Sequence, residues 1–498
     1  MTAAGDAGAT ESDLIEARRA KLAALRDAGS DPFAVTKFKR SHVIADARAA
    51  FATLGPHERG GSEVALAGRL QSLRRMGKKL VFADVVDQSG RIQLYLRAEK
   101  MGEAFARVEL LDRGDVVGVT GVPFVTKSGE LTIEVSALAV LSKSLRPLPE
   151  KWHGLVDPET RYRRRYVDLM VNRAVLDTML LRSRMIASIR RLLDERGYIE
   201  VETPALLALA GGANARPFVT HSHAFGVPLQ LRIATELNLK RCIVGGIEKV
   251  YEIGRIFRNE GTDRTRNPEF TMLELYEAYT DFEGMMRLSE DVLLAAAAAA
   301  GIEEDHEFDG RAISLRRPFP RIAYLEAMQR FGELQREDVL DETRARAEAK
   351  RRAVQMEPGS SHAHVVDKLF EATVEPHLVN PVFVTDFPVL LSPLAKRKRD
   401  DPHLVERFEL FIANMEIANA FSELNDPDDQ RERFLGQARE RLAGDPEAPE
   451  PDWDYVTALE YGMPPTGGIG MGIDRLVMLL TDEQSIRDVL LFPFQKPQ

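Results

Sequence analysis

An α+β protein in two unlike parts is predicted from three features of the sequence. Between residues 63 and 143, short runs alternate apolar with polar residues and are separated by glycine-containing turns, the pattern of strands in a small barrel. Farther on, strand-like and helical runs alternate irregularly with no βαβ repeat, so a mainly antiparallel sheet flanked by helices is expected. A chain of 498 residues with 44% hydrophobic content exceeds one ordinary domain and can bury a sizeable core.

Residues 1–60 read as an N-terminal helical extension behind a frayed tail. "ESDLIEARRAKLAALRDAG" sets Leu14, Ala17, Leu22 and Leu25 near one face and stops at Gly29. Residues 61–146 are the barrel, with hairpin turns at Gln88-Ser89-Gly90 and Lys127-Ser128-Gly129; such a run of short strands suggests an OB-fold, a type that commonly holds single-stranded nucleic acid. Prolines 147, 149 and 158 mark the entry to residues 147–498, where "RAVLDTMLLRSRMIASIRRLLDERG" is a long amphipathic helix ending at Gly197. Strand-like segments follow at 249–258, 270–279, 382–387, 407–424 and 467–473.

Composition excludes several classes. No apolar run reaches the roughly twenty residues of a membrane span, and the N-terminus lacks the basic start and apolar stretch of a secretory signal, so a cytoplasmic location is expected. Cys242 is the only cysteine, which rules out intrachain disulfides and cysteine metal cages. A net charge of −10 argues against wholesale coating of nucleic acid. Three local basic patches remain: Arg69 with Arg74, Arg75, Lys78 and Lys79; "RYRRRY" at 161–166; and "KRKR" at 396–399. Each alone reads as a solvated face, yet three on an acidic chain suggest phosphate contacts.

The chemistry concentrates on strands, where residues i, i+2 and i+4 share a face. "MLELYEAY" sets Glu274, Tyr276 and Ala278 on one side and Leu273, Leu275 and Tyr279 on the other; "EIANAFSELND" lines up Asn419, Phe421 and Glu423. Carboxylates beside a tyrosine hydroxyl suit an ammonium, although either strand alone could simply face solvent. Arg258, with Glu260 two residues on, could neutralise a phosphate or carboxylate. In "GGIGMGIDRLVMLLTDE" a glycine-rich strand allows close backbone approach and leads to Arg475 at a helix N-terminus, but neither a GxGxxG nor a P-loop is present. Glu409 and Glu416 fall on two strands joined near Ala413 and Asn414, where they could face each other as hard oxygen ligands for magnesium, or lie at the surface. The histidines of "THSH" (220–223) and "HAH" (362–364) receive no role.

These pieces resemble a known family. "GYIEVETP" (197–204), "FRNEG" with "RNPEFTMLELYEAY" (257–279) and "GGIGMGIDRLVMLL" (467–480) look like motifs 1, 2 and 3 of class II aminoacyl-tRNA synthetases. "GGANARPF", "LRIATELNLKR", "SPLAK", "NAFSELNDP" and "IRDVLLFP" narrow the resemblance to bacterial class II lysyl-tRNA synthetases, over residues 14 to 495. The resemblance implies an OB-fold anticodon-binding domain before a class II catalytic domain, and a ligase that activates L-lysine with ATP before loading tRNA(Lys). It places Arg258 on the amino-acid carboxylate and the α-phosphate, and Phe270 and Arg475 around adenine, with Arg258 and Arg475 as the catalytic pair. Glu274, Tyr276 and Glu423 would receive the ε-ammonium, Gly212 and Glu236 the α-amino group, and Asn419 and Phe421 would complete the lysine site. Glu260, Arg266 and Asn267 would join the ATP site, and Glu409 and Glu416 would hold Mg2+ on its phosphates. Arg75, Phe82, Gln93 and Glu130 match the anticodon-reading positions, where a stacking aromatic among hydrogen-bonding side chains suits splayed bases. A homodimer is implied through motif 1.

Two departures stand out: Arg266 replaces the usual histidine of the motif 2 loop, and Met415 replaces a basic residue before the second metal glutamate. Leu390 also stands where many bacterial members carry glutamate. A paralogue that lysylates a protein is disfavoured by the barrel, and a catalytically dead binding module by the retained arginines and glutamates. An aspartate-specific relative would need cations where the chain offers Glu274 and Glu423.

Overall fold

The computed structural model describes residues 10–149, 155–356, 360–442 and 450–496, so the first nine residues of the expected tail lie outside the described residues. The chain divides into two compact units, Met1–Val156 and Asp157–Gln498. The N-terminal helices and the barrel fall together in the first unit.

In the first unit, β1 (Val64–Arg75), β2 (Leu80–Val86), β3 (Arg91–Arg97), β4 (Val116–Val125) and β5 (Leu131–Ser142) close into a barrel in the order β1-β2-β3-β5-β4. Alternation decides what is inside: Val81, Ala83, Val85, Ile92, Leu94 and Leu96 are buried, which turns Phe82, Gln93 and Tyr95 outward. The preceding helix Glu11–Asp27 starts in a Thr10/Asp13 capping box and buries Leu22 and Leu25. Ala17, expected on that face, is exposed; Arg18 lies there instead and donates to the Ser144 carbonyl at 2.8 Å. With Leu25, Ile44 and Ala47 packed into the barrel core, the extension is not an independent domain.

The second unit is built on an eight-stranded sheet. Its strands are β6 (Ile199–Glu200), β10 (Lys249–Phe257), β11 (Glu269–Ala278), β14 (Arg321–Ala323), β15 (Val382–Thr385), β16 (Arg407–Ile412), β17 (Met415–Ser422) and β18 (Thr466–Gly472). The order is β14-β15-β16-β17-β18-β11-β10-β6, antiparallel except at the two edge pairs, as expected of a mainly antiparallel sheet. A three-stranded sheet of β7 (Leu206–Leu207), β8 (Val219–Ser222) and β9 (Val227–Leu231) and a hairpin of β12 (Asp305–Phe308) and β13 (Arg311–Ser314) have no counterpart in the sequence reading.

Helices Arg173–Glu195, Phe282–Ala299 and Ile473–Thr481 cover one face of the large sheet. There Leu273 and Leu275 of β11 meet Met185, Ile189 and Leu293 in one core, each large side chain contributing about 1.5–3 kcal/mol on burial. Period-two alternation then commits Glu274 and Tyr276 to the opposite face. Tyr279 does not join the core face: β11 ends at Ala278, and Tyr279 takes a left-handed φ of 65° and is exposed.

Three arginines of the "RYRRRY" run are engaged within the protein. Arg165 is fully buried, pairs with Asp168 at 2.7 Å and donates to the carbonyls of Arg487, Leu490 and Leu491, so it anchors the C-terminal segment. Arg161 also pairs with Asp168, and Arg163 with Glu159. In "KRKR", Arg397 pairs with Asp429 and Lys398 with Asp386.

Candidate active site

A trough lies on the uncovered face, with the glycine strand β18 as its floor. Register places Gly470 between Glu274 and Asn419, and Gly468 between Tyr276 and Phe421. The absence of side chains is required: a Cβ on Gly468 would come within 2.1 Å of Glu423 Oε1 and 2.4 Å of the Tyr276 ring. One further irregularity completes the face. Glu416 and Asn419 are three residues apart and should point oppositely, but the β16–β17 register shifts between Leu410 and Phe411, and both residues line the trough. The tight turn at Ala413 and Asn414, with φ of 53° and 64°, makes the hairpin that the sequence suggested.

One end of the trough is acidic and buried. Glu274 and Glu423 are buried, and each leaves a carboxylate oxygen without a hydrogen-bond partner, Glu274 Oε2 and Glu423 Oε1 among them. Unpaired buried acceptors cost about 1–3 kcal/mol each, more when charged, so this end is incomplete until a donor arrives. Burial, with repulsion from Glu236, pushes the Glu274 carboxyl up to about 7, although the Thr235 N–H donates to its other oxygen at 3.1 Å. Glu236 opens the helix Glu236–Val244, and Gly212, with a φ of 89°, lets the adjacent loop pass where a Cβ would lie 3.2 Å from that of Glu236.

The other end is cationic. Arg258 follows β10, lies 5.3 Å from the Phe270 ring centroid and donates to the Ile233 carbonyl at 3.4 Å. Burial pulls its pKa down, against the opposing pull of Glu260, Glu416 and Glu274, so an arriving anion would stabilise it. Arg475, in the first turn of Ile473–Thr481, donates to the Glu416 carbonyl at 2.8 Å and approaches its carboxylate at 3.3 Å. Asn267 is buried; its Nδ2 donates to the Glu269 carbonyl while Oδ1 has no partner. Arg266 is exposed, 3.4 Å from Glu371 and 3.8 Å from Asp263.

Glu409 is the exception among the expected site residues. All the other residues assigned to lysine or ATP line one cavity of about 370 Å3, the size of a small-ligand site, but Glu409 does not. It opposes Asn419 in register, not Glu416, and is ion-paired with Arg407. Arg407, which sequence reasoning passed over, also donates to Asn419 Oδ1 at 3.0 Å and so orients a trough residue. Burial, with repulsion from Glu416, Asp367 and Glu375 that Arg407 partly offsets, pushes Glu409 up to about 8. Burial and its acidic neighbours likewise push Glu375 up to about 7. Among the described residues no three His, Cys, Asp or Glu side chains converge into a metal cage. Met415 packs into the core beneath the sheet, so its departure from a basic residue does not alter the trough.

On the barrel, Phe82 stands across from Tyr95 with ring centroids 5.0 Å apart, and Tyr95 leads to Phe124 at 5.5 Å. Gln93 shares this outer face and accepts from Thr132 at 3.1 Å, whereas Glu130 lies 3.7 Å from Arg48. Arg74, not Arg75, is the cross-strand neighbour of Phe82; Arg75 ends the strand in an ion pair with Glu109. Tyr95 and Phe124 were not singled out in the sequence, though their alternation with buried residues on β3 and β4 was legible there.

Residues 157–496 match the family of class II tRNA synthetases for D, K and N, and residues 64–141 match the OB-fold nucleic-acid-binding domain. The chain belongs to the class II tRNA synthetases. This synthetase is 50% identical over 489 residues to the lysine–tRNA ligase of Moorella thermoacetica, covering 98% of this chain and 99% of the relative. It is 49% identical to that of Thermoanaerobacter sp. (98% and 96% covered) and 49% identical to that of Enterococcus faecalis (97% of each). The trough of the synthetase is therefore the candidate site for amino acid and ATP.

Proposed function

We infer that this synthetase is a lysine–tRNA ligase: it joins L-lysine to ATP as lysyl-adenylate with release of pyrophosphate, then transfers lysine to the 3′ end of tRNA(Lys). The observation that carries the reading is the pair of buried, incompletely bonded carboxylates, Glu274 and Glu423, beside the Tyr276 hydroxyl. A long side chain ending in an ammonium supplies donors to Glu274 Oε2 and Glu423 Oε1, and a shorter or uncharged one leaves those two oxygens without them in a buried site. Full-length similarity to lysine–tRNA ligases supports the same assignment.

The lysine carboxylate is ionised at neutral pH, so the reaction needs alignment and charge neutralisation but no general base. A bond forms from a carboxylate oxygen to the α-phosphorus while the bond from that phosphorus to the pyrophosphate oxygen breaks. Arg258 neutralises the carboxylate and α-phosphate, Phe270 and Arg475 hold adenine, and Glu236 and Gly212 fix the α-amino group. Glu260, Arg266 and Asn267 border the phosphates and Asn419 and Phe421 the amino acid.

Glu416 and Glu409 would hold Mg2+. Glu416, partly exposed on the trough, and Glu409, near enough for the two carboxylates to repel each other, are hard-oxygen donors in an acidic surround, which suits an ion held partly by substrate phosphates. When bound, it supplies electrostatic stabilisation of phosphoryl charge. Phe82, Tyr95 and Gln93, with Arg75 and Glu130 at the margins, form the surface for anticodon bases. No helix among the described residues is long and apolar enough to cross a membrane; cytoplasmic location and homodimerisation complete the reading. The test is lysine-dependent exchange of pyrophosphate into ATP, followed by charging of tRNA with a UUU or CUU anticodon. Exchange with a different amino acid, or with none, overturns the assignment.

A further inference from the structure

Lys240 lies beneath the acidic end of the trough, one helical turn beyond Glu236. Its side chain is fully buried. The ammonium is 2.5 Å from Glu236 Oε1 and ion-paired with Glu423, and it lies 5.3 Å from the Phe421 ring centroid and 5.8 Å from that of Tyr276. Glu274 and Tyr455 complete the titratable groups around it. Burial opposes its charge, but Glu236 and Glu423 outweigh burial and push its pKa up, so it is an ammonium. It therefore joins the carboxylate assigned to the α-amino group to one assigned to the ε-ammonium.

The charges can be counted. Glu236, Glu274 and Glu423 bring three negative charges when ionised, and Lys240 cancels one, leaving two. The proposed substrate brings two ammonium groups, and its carboxylate goes to Arg258. We propose that Lys240 is a specificity-determining counter-charge, which sets the residual charge of the pocket to match a ligand with two ammonium groups. This rests on the lysine reading above. With three carboxylates and no Lys240, mutual repulsion in a buried site drives a proton onto one of them, and a carboxylic acid presents a donor where an ammonium needs an acceptor. With Lys240 but only two carboxylates, the residual charge is a single negative one and an ammonium of the ligand goes unmatched.

The count yields a sign reversal that a mere structural brace does not produce. In lysine-dependent pyrophosphate exchange with the full chain, Lys240→Met should raise KM for lysine about tenfold with KM for ATP unchanged. Glu423→Gln should raise it by about 100-fold. In the double variant K240M/E423Q the residual charge returns to two, and KM for lysine should fall about tenfold below that of E423Q alone. Lys240→Arg should stay nearest to wild type. If K240M alone does not fold, the comparison of E423Q with the double variant decides. A double variant that binds lysine no better than E423Q, or that unfolds where E423Q folds, overturns the proposal. Absence of lysine-dependent exchange in the wild-type protein instead overturns the assignment of function.

Discussion

Replacing Gly468 by alanine tests the trough through its most crowded point. The added Cβ would lie 2.1 Å from Glu423 Oε1 and 2.4 and 2.7 Å from two atoms of the Tyr276 ring. Contacts need at least about 3.4 Å to be ordinary, so both side chains must retreat by about 1 Å. Neither has room: Glu423 is fully buried, and Tyr276 packs with Val250, Leu237 and Tyr455. Overpacking of this kind costs about 1–3 kcal/mol. Because the displaced groups are those assigned to the ε-ammonium, most of that cost should appear as weaker lysine binding, roughly 5- to 150-fold in KM. KM for ATP should change little, since Arg258, Phe270 and Arg475 do not meet the new atom. Pyrophosphate exchange with lysine and ATP varied separately measures both. Gly61→Ala, outside the cavity and with nothing within 4 Å of the new atom, is the control and should match wild type. An unchanged KM for lysine in Gly468→Ala, or an equal rise in both KM values, refutes the reasoning.

Four further outcomes are expected. Glu274, pushed up to about 7, must ionise to accept an ammonium, so KM for lysine should rise about tenfold as pH falls from 8 to 6; a flat profile, or one retained in Glu274→Gln, contradicts this. A carboxyl whose folded pKa lies above its unfolded value of 4.5 costs stability as pH rises through the window from there to about 7, and the cost persists above it. The melting-temperature increase produced by lysine should therefore be larger at pH 8 than at pH 6. Arg258→Ala should abolish pyrophosphate exchange, whereas Phe82→Ala should leave exchange intact and weaken tRNA charging; equal losses in both assays would contradict the division between domains. Arg165→Met strips a buried partner from Asp168 and three carbonyls, and should lower stability by about 3 kcal/mol, read as an earlier midpoint in urea unfolding.

What the sequence determined by itself was whatever depends on neighbours along the chain. Period-two alternation put Glu274 with Tyr276 on one face before any packing was known, whereas Phe82 and Gln93 came from the family resemblance alone. The lysine- and ATP-site residues that the resemblance named, inside the three motif stretches and outside them, line one cavity with the exception of Glu409. Tertiary structure decided what depends on distant partners. Burial separates one Glu-x-x-x-Lys pair from another, and for Glu236 and Lys240 it is set by Glu423 and Tyr276, which arrive from far along the chain. The same holds for Arg165, which reads as part of a basic patch until the C-terminal segment crosses it. A register shift opposite Ile417 is invisible in a strand's own pattern, yet it alone brings Glu416 and Asn419 to one face and sets Glu409 apart. Local alternation needs only the chain's own stereochemistry, whereas charge state and register are settled by which strand or helix arrives from far along the sequence.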